Sequence, residues 1–148
     1  MLKKANGETF TEVVLEVFKV SGMLNVEGDD LTKEFGLSSA RWKVMGAIGR
    51  SETALTVPQI GRTMGQSRQA TQRIVDVMTK DGLLQLVENP HHKRAKLVDL
   101  TEQGKKVYRL LDIKQTCWAS KGAEDLSKEE LETTLFVLQK MASYLGAQ

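Results

Sequence analysis

A chain of 148 residues with 41% hydrophobic and 27% charged side chains has the composition of a folded protein rather than a disordered one, and its length is most simply that of one domain. A formal net charge of +2 is too small to imply nucleic-acid binding by itself, and a single cysteine excludes an internal disulfide framework, which suits a reducing cytoplasm. No apolar run approaches the ~18–20 residues needed to span a bilayer, and the first residues lack the charged-then-apolar pattern of a secretory signal.

Thr9 with Glu12 has the pattern of a capping box. Phe10, Val14, Val17, Ser21, Leu24, Gly28, Leu31 and Phe35 then recur at alternating steps of four and three, which predicts one long helix with a packing seam and a Gly36 C-cap. Gly28 lies inside the seam and is the place for a kink. Ser38 or Ser39 opens a second helix whose apolar residues are Trp42, Val44, Met45, Ala47 and Ile48. A loop over Gly49 to Ala54 follows, and Leu55 or Thr56 is placed to add a minimal strand.

Thr56, Pro58 and Gln59 together mark a third helix start: the threonine can cap, the proline tolerates the first turn and the glutamine can reach back. Gly65 ends that helix in a tight turn. Ser67 caps a fourth helix predicted from Arg68 to Asp81 and stopped by Gly82. Helical spacing sets Ala70, Ile74, Val77 and Met78 toward a core and leaves Arg68, Gln69, Gln72, Arg73 and Asp76 on the opposite face. Two short strands follow, in which Leu84, Leu86, Ala95 and Leu97 alternate with Gln85, Val87, Lys96 and Val98. Asn89-Pro90-His91-His92-Lys93-Arg94 between them is a turn-rich cationic loop. Two short helices followed by two strands and a basic loop form the order of a helix-turn-helix with a β-hairpin wing.

Charge supports that order. Between Thr56 and Lys96 the cations Arg62, Arg68, Arg73, Lys80, Lys93, Arg94 and Lys96 face only Asp76, Asp81 and Glu88, whereas Glu124, Asp125, Glu129, Glu130 and Glu132 make the C-terminal part acidic. Arginine pairs with guanine and glutamine with adenine in the major groove, each through two hydrogen bonds. Arg68, Gln69 and Gln72, with Arg73 at the margin, are therefore the candidate base contacts. Ser38, Thr56, Arg62 and Ser67 are candidate phosphate contacts, helped by helix N-termini. Arg94 is the candidate wing contact, with Lys93 and Lys96 on the backbone. A polar helix face is also simply what solvent requires, and lysine-rich hairpins also guard sheet edges; the combination of both in one module favours DNA.

Beyond the wing, Thr101 caps a helix predicted through Trp118, with Val107, Leu110, Leu111 and Ile113 on its apolar side. Ser127 and Glu130 form a capping box for the last helix, where Leu131, Leu135, Leu138, Ala142 and Leu145 repeat the four-three spacing. Such stripes at both ends call for a second subunit, and a two-fold dimer would offer two reading helices to major grooves ~34 Å apart on a roughly palindromic site. Adjacent His91 and His92 point apart on an extended loop with no further ligand at metal spacing, so no metal is expected. Cys117 beside Trp118 reads as a buried structural thiol, and Trp42, Tyr108 and Trp118 as core aromatics rather than a ligand cavity. There is no phosphate loop and no catalytic set of nucleophile and base, so an enzyme and a cofactor are not expected.

The run Ser67-Arg68-Gln69-Ala70-Thr71-Gln72-Arg73-Ile74-Val75, then Asp81-Gly82-Leu83-Leu84, then Lys93-Arg94-Ala95-Lys96-Leu97-Val98-Asp99-Leu100-Thr101-Glu102-Gln103-Gly104, resembles the winged-helix domain of the MarR (multiple antibiotic resistance regulator) family of bacterial transcription factors. Leu37-Ser38-Ser39-Ala40-Arg41-Trp42 matches as well, so the resemblance covers nearly the whole chain. It departs at His92, where the family usually carries an aspartate that orients the wing arginine, and this predicts an Arg94 held less firmly or one that responds to pH. The resemblance implies a mainly α fold with a small β-hairpin, a winged helix-turn-helix over residues 37–101 with dimerisation helices over 8–36 and 101–146. It also implies a homodimeric cytoplasmic regulator of transcription, most simply a repressor of a pseudo-palindromic double-stranded DNA operator, relieved by a small-molecule effector or similar signal. The alternative is a winged helix used for protein contact without specific DNA binding.

Overall fold

A computed structural model describes residues 2–146, in the order α1 (Leu2–Thr32), a 3₁₀ turn (Lys33–Phe35), α2 (Ser39–Arg50), α3 (Val57–Met64), α4 (Arg68–Lys80), β1 (Leu84–Val87), β2 (Leu97–Leu100), α5 (Glu102–Gly122) and α6 (Lys128–Gly146). This is a mainly α fold carrying one two-stranded antiparallel hairpin. The described residues form two compact units, one through Asp112 and one from Ile113 onward.

In the first unit, α1 passes through Thr9 without starting there: the Thr9 hydroxyl donates to the Ala5 carbonyl four residues back, so it is an interior helix residue and not a cap. Gly28 does not break the helix either. It is a point of close approach, where an added Cβ would strike the Ser39 hydroxyl and lie 3.4 Å from the Trp42 ring. There α1 holds the first turn of α2 from outside. The Asp29 carboxylate accepts from the Ser39 N–H at 2.8 Å, the Ser39 hydroxyl donates to the Asn25 carbonyl, and Lys43 donates to the Asn25 side chain at 2.7 Å. Ser38 completes the cap by accepting from Arg41 N–H. Gly36, with φ of 70°, turns the chain between α1 and α2.

The core of this unit gathers Val44, Met45 and Ile48 of α2, Ile60 of α3, Val75 and Met78 of α4, Leu84 and Val98 of the hairpin, and Leu111 of α5. Full burial of each such side chain stabilises the fold by about 1.5–3 kcal/mol. The inward face of α4 differs from the expected stripe by about one residue: Thr71, Val75 and Met78 are buried, Ala70 and Ile74 are half-buried, and Val77 is 45% exposed. The β2 strand likewise turns the other parity inward. Val98 and Leu100 are buried while Leu97 is only half-buried, because β2 pairs Leu100 with Leu84 and Val98 with Leu86 across the ladder. The expected minimal third strand is an isolated bridge, with Val98 N–H donating to the Leu55 carbonyl at 2.8 Å.

Thr101 ties the hairpin to α5. Its hydroxyl accepts from Gly104 N–H at 3.0 Å, capping the helix, and donates to the Gly82 carbonyl at 2.5 Å. α5 runs four residues beyond Trp118, to Gly122. Val107, Tyr108 and Leu111 are its core-facing residues, whereas Leu110 and Ile113 are 57% and 67% exposed. Cys117 is exposed and therefore not the buried thiol expected from its apolar neighbours.

In the second unit, Ser127 and Glu130 form the expected reciprocal box: the Ser127 hydroxyl accepts from Glu130 N–H at 3.1 Å and the Glu130 carboxylate accepts from Ser127 N–H at 2.9 Å. That backbone bond holds the Glu130 carboxyl below the usual carboxylate range, so the restraint acts at neutral pH and is lost as pH falls through the lowered value. Leu131, Leu135, Phe136, Leu138 and Leu145 are all exposed on α6.

Gly104 shows why a glycine follows the capping turn: a Cβ there would fall on the Leu83 backbone carbonyl, which cannot move without disrupting the hairpin. Gly104→Ala is expected to cost about 1–3 kcal/mol through overpacking and to lower the thermal midpoint by roughly 3–10 °C; a circular-dichroism melt with an unchanged midpoint would contradict this packing.

Candidate nucleic-acid interface

The turn between α3 and α4 is built for close approach. Gly65 adopts φ of 66°, Gln66 N–H donates to the Gly61 carbonyl at 2.8 Å, and the Thr71 hydroxyl donates to the Ser67 carbonyl at 2.9 Å. Gly61 has no Cβ because one would lie 3.0 Å from both the Gln66 carbonyl oxygen and the Thr71 hydroxyl. Ser67 caps α4 by accepting from Ala70 N–H at 3.1 Å. With Thr71, Val75 and Met78 locked inward, Arg68, Gln69 and Arg73 are exposed and Gln72 half-buried on the outer face. These four side chains line an open concavity. The structure thus brings all four candidate base contacts together. Asp76 joins them, its carboxylate accepting from Gln72 Nε2 at 2.8 Å. Sequence spacing contains that signal, since residues four apart on a helix are neighbours, but it does not say which partner Gln72 keeps.

Three of the candidate phosphate contacts share one local role. Ser38, Thr56 and Ser67 are the N-caps of α2, α3 and α4. Each hydroxyl spends a lone pair on a backbone N–H and keeps its own hydrogen, and each stands at the positive end of a helix dipole. For Thr56 the box is complete, with the Gln59 side chain accepting from Thr56 N–H at 2.8 Å. Arg62 is exposed in the last turn of α3.

The loop between β1 and β2 is shaped by its own side chains. Asn89 accepts from His91 N–H at 3.0 Å through its side-chain oxygen and donates to the Ala95 carbonyl at 2.9 Å, which closes the loop as an Asx turn does. His92 Nδ1 accepts from Ala95 N–H at 3.2 Å, so that nitrogen carries no proton in this arrangement. Asn89 and His92 are thus structural residues of the loop; the sequence marks His92 only as a departure from the family pattern and does not mark Asn89 beyond its place in the turn. Lys93, Arg94 and Lys96 are all exposed. Lys96 lies 3.5 Å from Glu88, both largely exposed, a pairing that water and salt weaken. Among the described residues no group of three or more His, Cys, Asp or Glu side chains is placed to hold a metal.

The model of the MarR family matches residues 35–95. An uncharacterized protein of Mycobacterium tuberculosis (strain ATCC 25618 / H37Rv) is 30% identical over 141 residues, spanning 95% of this chain and 97% of that protein. The transcriptional activatory protein BadR of Rhodopseudomonas palustris is 26% identical over 93% of this chain and 80% of its own length. The fold superposes on a MarR/EmrR family transcriptional regulator from Acinetobacter sp. ADP1 with a TM-score of 0.83 at 16% identity, covering 93% and 97% of the two chains. It also superposes on CouR from Rhodococcus jostii RHA1, solved bound to p-coumaroyl-CoA, with a TM-score of 0.79 at 18% identity, covering 88% and 91%. Family and fold are those of transcription regulators and not of enzymes. The outward helix, the hairpin and these likenesses agree, and the chain belongs to the MarR family of transcription regulators.

Proposed function

We propose that two copies of this chain form a two-fold dimer that binds a pseudo-palindromic DNA operator and represses transcription until a small molecule or similar signal intervenes. The observation that carries the reading is the outward row Arg68, Gln69, Gln72 and Arg73 on a helix whose other face is fixed in the core. In this reading α4 lies in the major groove, Ser38, Thr56, Arg62 and Ser67 hold phosphates, and Arg94, Lys93 and Lys96 reach the neighbouring backbone or minor groove. The dimer is supported by the apolar residues that α1 and α6 each leave in solvent, among them Phe18 and Met23 on α1 and Phe136 and Leu145 on α6, since clustered exposed apolar side chains mark contact surfaces. The effector acts by binding better to a dimer whose α4 helices are wrongly spaced. CouR with its bound p-coumaroyl-CoA supports a small organic effector here too. Activation is the second reading of the direction of control, favoured by the relative named as an activatory protein. The reducing cytoplasm is the compartment this function implies.

The test is retention of fragments from the source genome by the purified chain, followed by a salt titration on the preferred fragment. Affinity is expected to fall steeply and linearly in log–log form with added salt, because each neutralised phosphate contributes a slope of about 0.9; a flat response would favour a protein-binding winged helix. Arg94→Ala should weaken binding and reduce that slope by about one while leaving the thermal midpoint within a degree or two of the parent, since the side chain is exposed. Sedimentation is expected to give twice the 16.5 kDa chain mass. Leu135→Glu combined with Leu145→Glu, both exposed in the single chain, should halve that mass and abolish tight operator binding; a variant that still sediments as a dimer would remove α6 from the interface.

A further inference from the structure

We propose that Asp76 determines which base Gln72 reads, an inference that rests on α4 being the groove-reading helix. A glutamine carboxamide is nearly symmetric in shape but not in chemistry: one end only accepts and the other only donates. Left free, it can turn over and offer either end to a base. The Asp76 carboxylate, an acceptor with no proton to give, settles the matter by taking a hydrogen bond from Gln72 Nε2 at 2.8 Å. Gln72 then retains one N–H and its Oε1 for another partner. One donor beside one acceptor complements the major-groove edge of adenine, which shows the N7 acceptor and the N6 donor, whereas guanine shows two acceptors there.

Position and charge agree with this role. Arg68, Gln72 and Asp76 follow one another at four-residue steps along one stripe of α4, and Gln72 is half-buried whereas Arg68 and Asp76 are exposed. A carboxylate on a face turned toward phosphates weakens general attraction to DNA. Its placement there suits a residue that improves discrimination and not one that improves affinity. Asp76 is thus a positioning residue that acts on the base through Gln72.

Selection of bound sequences from a random duplex library, performed with the full chain and its variants, tests the inference. Gln72→Ala should flatten the preference at one base in each half-site. Asp76→Ala should flatten the same base, with adenine discrimination reduced by about fivefold or more, and the double variant should flatten it no further, because the two residues act as one unit. Asp76→Asn should also lose the preference despite its equal volume, since an amide can donate as well as accept. Thermal midpoints of all variants identify any that fail to fold. An Asp76→Ala variant that keeps the parental preference overturns the proposal. So does one that alters a different base, which would make Asp76 a base contact in its own right. If the parent chain enriches no sequence, the groove-reading assignment of α4 fails first and this inference falls with it; if the parent enriches a sequence that Gln72→Ala leaves intact, only the inference fails.

Discussion

Thr71, Val75 and Met78 are the side chains by which α4 reaches the core, and all three are fully buried. A helix anchored by three such residues at steps of four and three cannot rotate about its axis without exposing apolar surface, at about 25 cal/mol for each Å² returned to water. The rotation of α4 is therefore fixed by burial, and the aim of Arg68, Gln69, Gln72 and Arg73 follows from it. Gly61 serves the same end from the neighbouring helix, because a Cβ there would press at 3.0 Å on the Gln66 carbonyl and the Thr71 hydroxyl and push them aside. The outward aim of these side chains is thus a property of packing that the polar residues inherit.

Much of this was legible from local chemistry. Ser38, Thr56 with Gln59, Ser67, Thr101 and Ser127 with Glu130 each cap a helix where a hydroxyl stands ahead of a periodic run. Capping is decided within four residues, so a single sequence carries it where a helix begins; Thr9 with Glu12 has the same pattern but lies inside α1, where no N–H is left to cap. The α4 core face lies a step away from the expected stripe because Thr71 counts as polar in any binary pattern. Its hydroxyl is satisfied inside the helix by the Ser67 carbonyl, which leaves its methyl group free to pack. The β2 parity was ambiguous for a different reason: Ala95 and Leu97 on one face compete with Val98 and Leu100 on the other. Only pairing with Leu84 and Leu55, from distant parts of the chain, chooses between them. At the site, the four outward residues of α4 were legible by exclusion from the core. The Gln72–Asp76 bond and the Asn89 and His92 loop restraints depend on side-chain conformations that spacing does not specify.

A formal charge of +2 conceals two opposed regions. The central module concentrates arginine and lysine on exposed helix and hairpin positions, while acidic residues gather near the start of α6. An attraction confined to one surface orients an encounter with a polyanion before contact, which a uniform charge of the same total would not do. The long apolar stretches of α1 and α6 add a second kind of unfinished surface.

The grip of α1 on α2 has a mechanical side. Asn25, Gly28 and Asp29 hold the opening turn of α2 through Ser39 and Lys43. From that same turn Arg41 reaches across to the carboxylate of Asp81, the residue that closes α4, at 3.1 Å. Tilting the long first helix must either snap these bonds or drag the second helix along and pull on the tail of the fourth. A run of polar contacts, its last link a partly exposed ion pair, thereby leads from the N-terminal rod through α2 to the end of the outward-facing helix.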